Sequence, residues 1–295
     1  MKQLLILSGK GGTGKTTVAS AFIRLSNAKA FADCDVDAPN LHLITKLSNE
    51  PSRKDYYGMP KAVIDPDICT NCGKCMENCR FDAIKVNEKS HFVDPFACEG
   101  CGVCEFVCPV QAASLNPSVA GELMLFKEGP VVFSTAQLKM GSGTTGMLVA
   151  EVKKQMKEAS EDVDLAIIDG SPGIGCPVIA SLSGVDMVLI VAEPSLSGIS
   201  DMERIIKVAR IFGVIIAACV NKYDTNPNNT KKIKDFCELE GIHYVGSIPF
   251  DPMAGKAINA GMSIADIDCP SGTAVKEVFN NTMQILFSDG ARWSK

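Results

Sequence analysis

Gly9-Lys10-Gly11-Gly12-Thr13-Gly14-Lys15-Thr16-Thr17 follows directly on the apolar run 3–8. That run reads as a buried strand, and 17–25 continues with the helical period of apolar residues. The nonapeptide fills every position of G-x-x-x-x-G-K-[ST], and strand, loop, helix is the context this motif requires. Its glycines let successive backbone N–H groups turn inward as an anion nest at the positive end of a helix. Gly11, Gly12, Thr13 and Gly14 are therefore expected around phosphate oxygens, with Lys15 on the β- and γ-phosphates. The Thr16 hydroxyl would ligate Mg²⁺, and Thr17 would stand beside it.

Working outward, further strand patterns fall near 28–33, 130–134, 164–169, 186–192, 214–220 and 243–247, separated by helical patterns. Alternation of this kind predicts an α/β fold with a doubly wound, mostly parallel sheet. Two acidic segments stand at strand ends: Asp33-Cys34-Asp35-Val36-Asp37-Ala38-Pro39-Asn40, and Asp169-Gly170-Ser171-Pro172-Gly173. Carboxylates at the carboxyl ends of strands beside a phosphate loop read as a site rather than as helix caps. The formal charge of −5 and an aromatic content of 6% argue against nucleic acid as a partner. The apolar run 214–220 is far below the ~18 residues of a membrane span, so no membrane insertion is expected. The apolar run 4–7 is too short for a signal peptide, which predicts a cytoplasmic protein.

Eight of the 13 cysteines lie within 69–108. Cys69, Cys72, Cys75 and Cys79 recur 29 residues later as Cys98, Cys101, Cys104 and Cys108, with Gly73 recurring as Gly102 and Ala83 as Ala112. Such register marks a duplicated half-domain. Each half is C-x2-C-x2-C-x3-C, the run that holds [4Fe–4S] clusters in bacterial ferredoxins, whose fourth cysteine ligates the other cluster. Three thiolates on one tight loop can cap one cube, and the fourth cannot fold back to it. One cluster is thus assigned to Cys69, Cys72, Cys75 and Cys108, the other to Cys98, Cys101, Cys104 and Cys79. Zinc favours two separated C-x2-C pairs instead. Residues 60–115 resemble a two-cluster bacterial-type ferredoxin, with one departure: Pro109 follows the second run, whereas Arg80 follows the first.

Lys10, a second lysine inside the loop, makes it resemble the deviant Walker A motif of the MinD/ParA/Mrp class of P-loop ATPases. In that class the first lysine reaches the partner's nucleotide, so the resemblance implies an ATP-dependent homodimer in which Lys10 acts in trans. It also implies that Asp35, in a segment similar to switch I, orients the attacking water, and that Asp169, in a segment similar to switch II, holds Mg²⁺ through water. Asn221-Lys222-Tyr223-Asp224 reads literally as the guanine-selecting N-K-x-D motif. In the MinD-like family, however, an asparagine at this place contacts adenine, assisted by a loop similar to Ile248-Pro249-Phe250-Asp251. Asn221, Pro249 and Asp251 are accordingly expected around the base, and Mg-ATP is the expected nucleotide.

The implied organisation is a discontinuous ATPase domain, 1–59 and 116–295, carrying the ferredoxin insert 60–115 through a polar link over 45–60. The whole resembles MinD-superfamily ATPases that contain an inserted ferredoxin. The implied activity is an ATP switch gating electron transfer to an unknown partner protein. The alternatives are an iron–sulfur cluster assembly or delivery factor of the Mrp type, and a MinD-like spatial organiser with redox sensing. Mrp-type carriers often end in a C-x2-C pair, which Cys237 and Cys269 do not form. Three further expectations follow. Gly141-Ser142-Gly143-Thr144-Thr145-Gly146 is a turn and helix start rather than a dinucleotide site. Ser200-x-x-Glu203 is a capping box. Cys34 and Cys176 are small buried thiols.

Overall fold

The computed structural model describes residues 1–45, 47–87 and 90–288. The nucleotide half begins with β1 (Lys2–Leu7), α1 (Lys15–Ser26) and β2 (Ala30–Asp33). The middle of the chain holds β3 (Ser52–Tyr57), β4 (Lys61–Ile64), α2 (Lys74–Glu77), β5 (Ile84–Val86), β6 (His91–Val93), α3 (Val103–Val107) and β7 (Ala113–Asn116). There follow β8 (Val119–Glu128), β9 (Val131–Leu138), α4 (Thr145–Ala159), β10 (Leu165–Asp169), α5 (Cys176–Leu182), β11 (Met187–Ala192) and α6 (Leu196–Ile211). The chain closes with β12 (Ile215–Asn221), α7 (Pro227–Leu239), β13 (His243–Ile248), α8 (Pro252–Asn259) and α9 (Pro270–Leu286).

One large sheet runs β13-β12-β11-β1-β10-β2-β9-β8-β3, parallel from β13 to β9 and antiparallel over β8 and β3. Side chains of β1 alternate between its two faces, as strand geometry demands. Leu4 and Ile6 join Val18 and Phe22 of α1 and Val278 and Phe279 of α9, whereas Leu5 and Leu7 join Leu148, Val178, Ile205 and Ile233 of α4, α5, α6 and α7. Helices on both faces bury the sheet twice over, which is why β11 is the unbroken apolar run Met-Val-Leu-Ile-Val-Ala. Each fully buried large aliphatic contributes about 1.5–3 kcal/mol. β1 lies between β10 and β11, where the strand order reverses, and the crevice outside the carboxyl ends of strands at such a point receives ligands. Among the described residues, no helix is long and apolar enough to cross a membrane.

The expected polar link contains β3, the edge strand of the large sheet, paired with β8 from Ser52↔Leu125 to Tyr57↔Val119. Only Tyr56 of β3 is buried. Charged residues along an exposed edge blunt further pairing and leave no apolar alternation by which to read a strand. Residues 61–116 form two small antiparallel pairs, β4–β7 and β5–β6, around a separate cluster of Ala62, Ile64, Cys75, Ala83, Ile84, Cys98, Cys104 and Ala113. The capping-box expectation also fails. α6 starts at Leu196, with the Ser195 hydroxyl accepting from the Gly198 N–H at 3.1 Å, and Ser200 lies inside the helix. β11 ends at Ala192, so the helix starts at the first serine that can cap it.

Candidate functional site

β1 delivers the glycine loop to the carboxyl edge of the sheet. Gly12 and Gly14 hold φ of 78° and 90°, a left-handed backbone that only glycine adopts without strain. Gly14 also abuts the Asn221 amide so closely that no Cβ fits. α1 begins at Lys15, so its unpaired N–H groups face the crevice. Register sets Asp33 beside Asp169 and Asp169 beside Ile6, which brings both carboxylates next to the loop. The Lys15 ammonium donates to Asp169 Oδ1, and both side chains are buried. Burial opposes the charge on Lys15, but Asp169, and less strongly Asp33 and Asp35, raise its pKa above the ordinary lysine value. Asp169 Oδ2 and Thr13 Oγ1 are buried without a hydrogen-bond partner among the described residues. Such orphaned atoms cost about 1–3 kcal/mol each unless a ligand satisfies them. They fit a nucleotide phosphate with its Mg²⁺.

Asp33, which the sequence reading assigned no role, organises the segment similar to switch I. Its Oδ1 accepts from Asp35 N at 3.0 Å and its Oδ2 from Asn40 N and Leu41 N, each at 2.9 Å. Burial, then the charge of Asp169, pushes its pKa up to about 7 against those N–H donors. Asp35 is also raised, mainly by burial. The two acidic segments are tied together by Ser171 Oγ donating to Cys34 O at 2.5 Å and Cys34 N donating to Asp169 O at 2.8 Å.

Gly12, Gly14, Thr17, Asn221, Pro249, Phe250 and Asp251 share a cavity of about 200 Å³. The two ends of the expected base site, far apart in sequence, therefore meet beside the phosphate loop. Asn221 Nδ2 donates to Thr13 O at 2.6 Å, and Lys222 Nζ donates to Gly12 O at 2.8 Å. Asp224 Oδ1 accepts from Phe250 N at 2.7 Å, bracing the base loop. Asp251 caps α8, accepting from Met253 N at 2.9 Å and from Ser271 N at 3.2 Å, and these bonds hold its pKa below the usual carboxylate value. Lys10 folds back on its own chain, with Nζ 3.4 Å from Glu193 Oε2 and 3.2 Å from Ser195 Oγ.

The eight repeated cysteines surround two pockets in crossed sets. Cys69, Cys72, Cys75 and Cys108 wall one, and Cys79, Cys98, Cys101 and Cys104 wall another, each of about 20 Å³. Ala112 N donates to Cys108 Sγ at 3.2 Å and Ala62 N to Cys98 Sγ at 3.4 Å. Burial raises the Cys75 and Cys104 thiols. At Cys108 the opposing effect of burial is overcome by the N–H groups of Ala113, Val110, Ala112 and Gln111, which lower its pKa. Among the described residues no three Cys, His, Asp or Glu converge on a point that could hold a single metal ion. Four thiols spread around an apolar void, with N–H donors to sulfur, are a donor set suited to an iron–sulfur cube. Cys72 and Cys101, equivalent in the repeat, are the exposed members of their sets. Cys34 is buried as expected, and burial pushes it up to about 12. Cys176 is exposed, against expectation, because it is the first residue of α5.

The stretch 4–264 matches the model of the CobQ/CobB/MinD/ParA nucleotide binding domain. The chain is 30% identical to an uncharacterized protein of Methanocaldococcus jannaschii over 96% of its own length and 97% of the relative's. It is 25% identical to the cytosolic Fe-S cluster assembly factor NBP35 of Eremothecium gossypii, covering 94% of this chain and 73% of that one. The fold is similar to the cell division ATPase MinD of Pyrococcus furiosus, with a TM-score of 0.57 at 18% identity over 96% of this chain and 99% of that one.

Proposed function

The chain belongs to the CobQ/CobB/MinD/ParA nucleotide binding domain family, and from that premise we propose that it is a Mg²⁺-dependent ATPase that delivers iron–sulfur clusters to an acceptor protein. The observation that carries the proposal is the presence, in one chain, of the buried Lys15–Asp169 pair at a glycine loop and two pockets each walled by four cysteines. Similarity to an iron–sulfur cluster assembly factor supports delivery over electron gating, the reading that the missing C-terminal cysteine pair favoured. At the exposed Cys72 and Cys101 an acceptor's thiolate would replace the cysteine on its iron, and the displaced thiolate would take up a proton. In this reading, 60–115 is a ferredoxin-like insert whose two [4Fe–4S] clusters are cargo.

The residues then act as follows. The nest of Gly11, Gly12, Thr13 and Gly14 binds the phosphates, and Lys15 leaves Asp169 for the β/γ oxygens. Thr16 and Asp169 are the residues that would hold Mg²⁺, which would supply positive charge to neutralise those oxygens. Asp35 positions the attacking water. Asn221 and Pro249 line the base, and Asp251 keeps their loop in place. Lys10 exchanges its own Glu193 for the nucleotide of a second copy, giving a twofold ATP-dependent homodimer. The test is anaerobic transfer from protein reconstituted with two clusters to an apo-ferredoxin in the presence of a chelator. Iron leaves only when Mg-ATP is present if the proposal holds, and full retention in Mg-ATP overturns delivery.

The crossed ligand sets favour a second reading, gated electron transfer, because each pocket draws cysteines from both halves of the repeat and so resists release. It predicts a cluster midpoint potential that shifts when Mg-ATP binds, and an unchanged potential excludes it.

A further inference from the structure

The two cysteine pockets are equivalent in sequence and unequal in surroundings. The pocket of Cys79, Cys98, Cys101 and Cys104 is gripped by the strand that enters the insert. Lys61 Nζ donates to Cys98 O, and Ala62 N donates to Cys98 Sγ. Gly100, at φ 65°, abuts the Pro60 carbonyl too closely to admit a Cβ. Two residues earlier, a methyl on Gly58 would stand 2.7 Å from Thr144 Oγ1 and 2.8 Å from Ala120 Cβ, so the backbone there is wedged against the cap of α4. A methyl on Gly143 in the same glycine loop would lie 3.4 Å from Oε2 of Glu99, which itself lines the pocket.

From its cap, α4 leads to the nucleotide site. A methyl on Gly146 would stand 3.1 Å from the carbonyl of Cys176, the first residue of α5. Lys153 of α4 donates to the carbonyls of Ser181 and Ser183 at 2.6 and 2.5 Å, clamping the far end of α5. α5 is reached from Asp169 through a loop in which Gly173 holds φ 98°. Close contacts thus run from Cys176 through α4 and the segment 58–62 to Cys98, while the loop 170–175 joins Cys176 to Asp169 along the chain. Close-packed elements move as units rather than absorb displacement. The equivalent residues of the first pocket make no such contact. Glu99 corresponds to Thr70, and Phe96, which a methyl on Gly141 would meet at 3.1 Å, to Asp67. Neither Thr70 nor Asp67 is among the described residues within 4 Å of a methyl on Gly141 or Gly143. The hydrogen bonds at its far wall, Asp65 N to Ala112 O and Ala112 N to Cys108 Sγ, stay within the insert.

We propose that α4 and the segment 58–62 couple the nucleotide site to the pocket of Cys79, Cys98, Cys101 and Cys104 alone, so that ATP acts on one of the two cluster sites and leaves the other unaltered. Gly58, Gly146 and Glu99 are positioning residues in this scheme. It rests on the ATPase reading above and adds to it which cluster site responds.

Hydrogen–deuterium exchange on the full chain, prepared anaerobically, tests this with and without Mg²⁺ and a non-hydrolysable ATP analogue. Exchange over 96–101, 141–147 and 174–180 should change by about threefold or more while 67–76 stays constant. Protection at 9–17 with a silent 96–101, or an equal response at 67–76, overturns the inference and leaves the ATPase reading standing. Absence of protection at 9–17 overturns both. The Gly146→Ala variant, which presses on Cys176, should keep protection at 9–17 and lose the response at 96–101. In cluster-loaded protein, the paramagnetic resonance signal of one reduced cluster, not both, should change with the nucleotide. Should the variant not fold, the wild-type exchange pattern decides the matter alone.

Discussion

Lys15 and Asp169 form an ion pair with side chains only 6% and 0% exposed, and the second oxygen of Asp169 has no hydrogen-bond partner among the described residues. Removing one member leaves the other charge buried and uncompensated, which costs about 3–5 kcal/mol. Lys15→Ala should therefore lose that much stability in denaturant titrations as well as nucleotide binding in calorimetry. Adding Asp169→Asn should restore part of the stability and none of the binding. Additive losses in the double variant would refute the pairing.

Lys10 contacts Glu193, Ser195 and Ser197 of its own chain at the surface. An exposed contact of this kind contributes under about 1 kcal/mol, so Lys10→Ala should fold and bind Mg-ATP like the parent. It should stay monomeric in gel filtration with ATP, whereas the parent dimerises. An ATP-dependent dimer of Lys10→Ala would remove the in-trans role from this residue.

The crossed pockets make an asymmetric prediction. Cys79→Ser should perturb the cluster of Cys98, Cys101 and Cys104, and Cys108→Ser that of Cys69, Cys72 and Cys75. Iron analysis with paramagnetic resonance distinguishes the two. If Cys79→Ser spoils the cluster of the cysteines nearest to it in sequence, the assignment fails.

Asp33 keeps its proton to about pH 7 in the folded chain, against an ordinary value of 3.8. Between these values the native state binds more protons than the unfolded one, so stability must fall as pH rises. The loss from this group amounts to roughly 4 kcal/mol at most. Nucleotide-free protein should be more stable to urea at pH 5 than at pH 7, and Asp33→Asn should flatten that slope. A slope unchanged in the variant assigns the effect to another group.

Thiol chemistry separates three of the five remaining cysteines. Cys176 is exposed, whereas burial pushes both Cys34 and Cys219 up to about 12. Iodoacetamide at pH 8 should label Cys176 in the native protein and reach Cys34 and Cys219 only after unfolding, as peptide mass mapping can show.

The glycine loop, the seven parallel strands and the ligand repeat were legible because each is local: a spacing, an apolar run, a register of 29. What escaped is non-local. Asp33 holds the 35–41 turn through three N–H bonds, but in sequence it is one of three aspartates within five residues. β3 carries Arg53, Lys54 and Asp55 on an open edge, so its strand character exists only through pairing with β8. The exposure of Cys176 follows from where α5 starts, which no periodicity announces. The contacts of Gly58, Gly100 and Gly146 are made by the absence of a side chain, and a glycine in sequence does not say what lies against it.

The β3–β8 pair at the edge of the large sheet is continued along the same two chain segments by the separate β4–β7 pair, after a break between Tyr57↔Val119 and Lys61↔Asn116. Pro60 and Pro117 fall in the gap, where neither can donate to the ladder. The insert therefore meets the large sheet at a break in strand pairing, and Gly58, packed against the cap of α4, holds that break against the nucleotide-binding half.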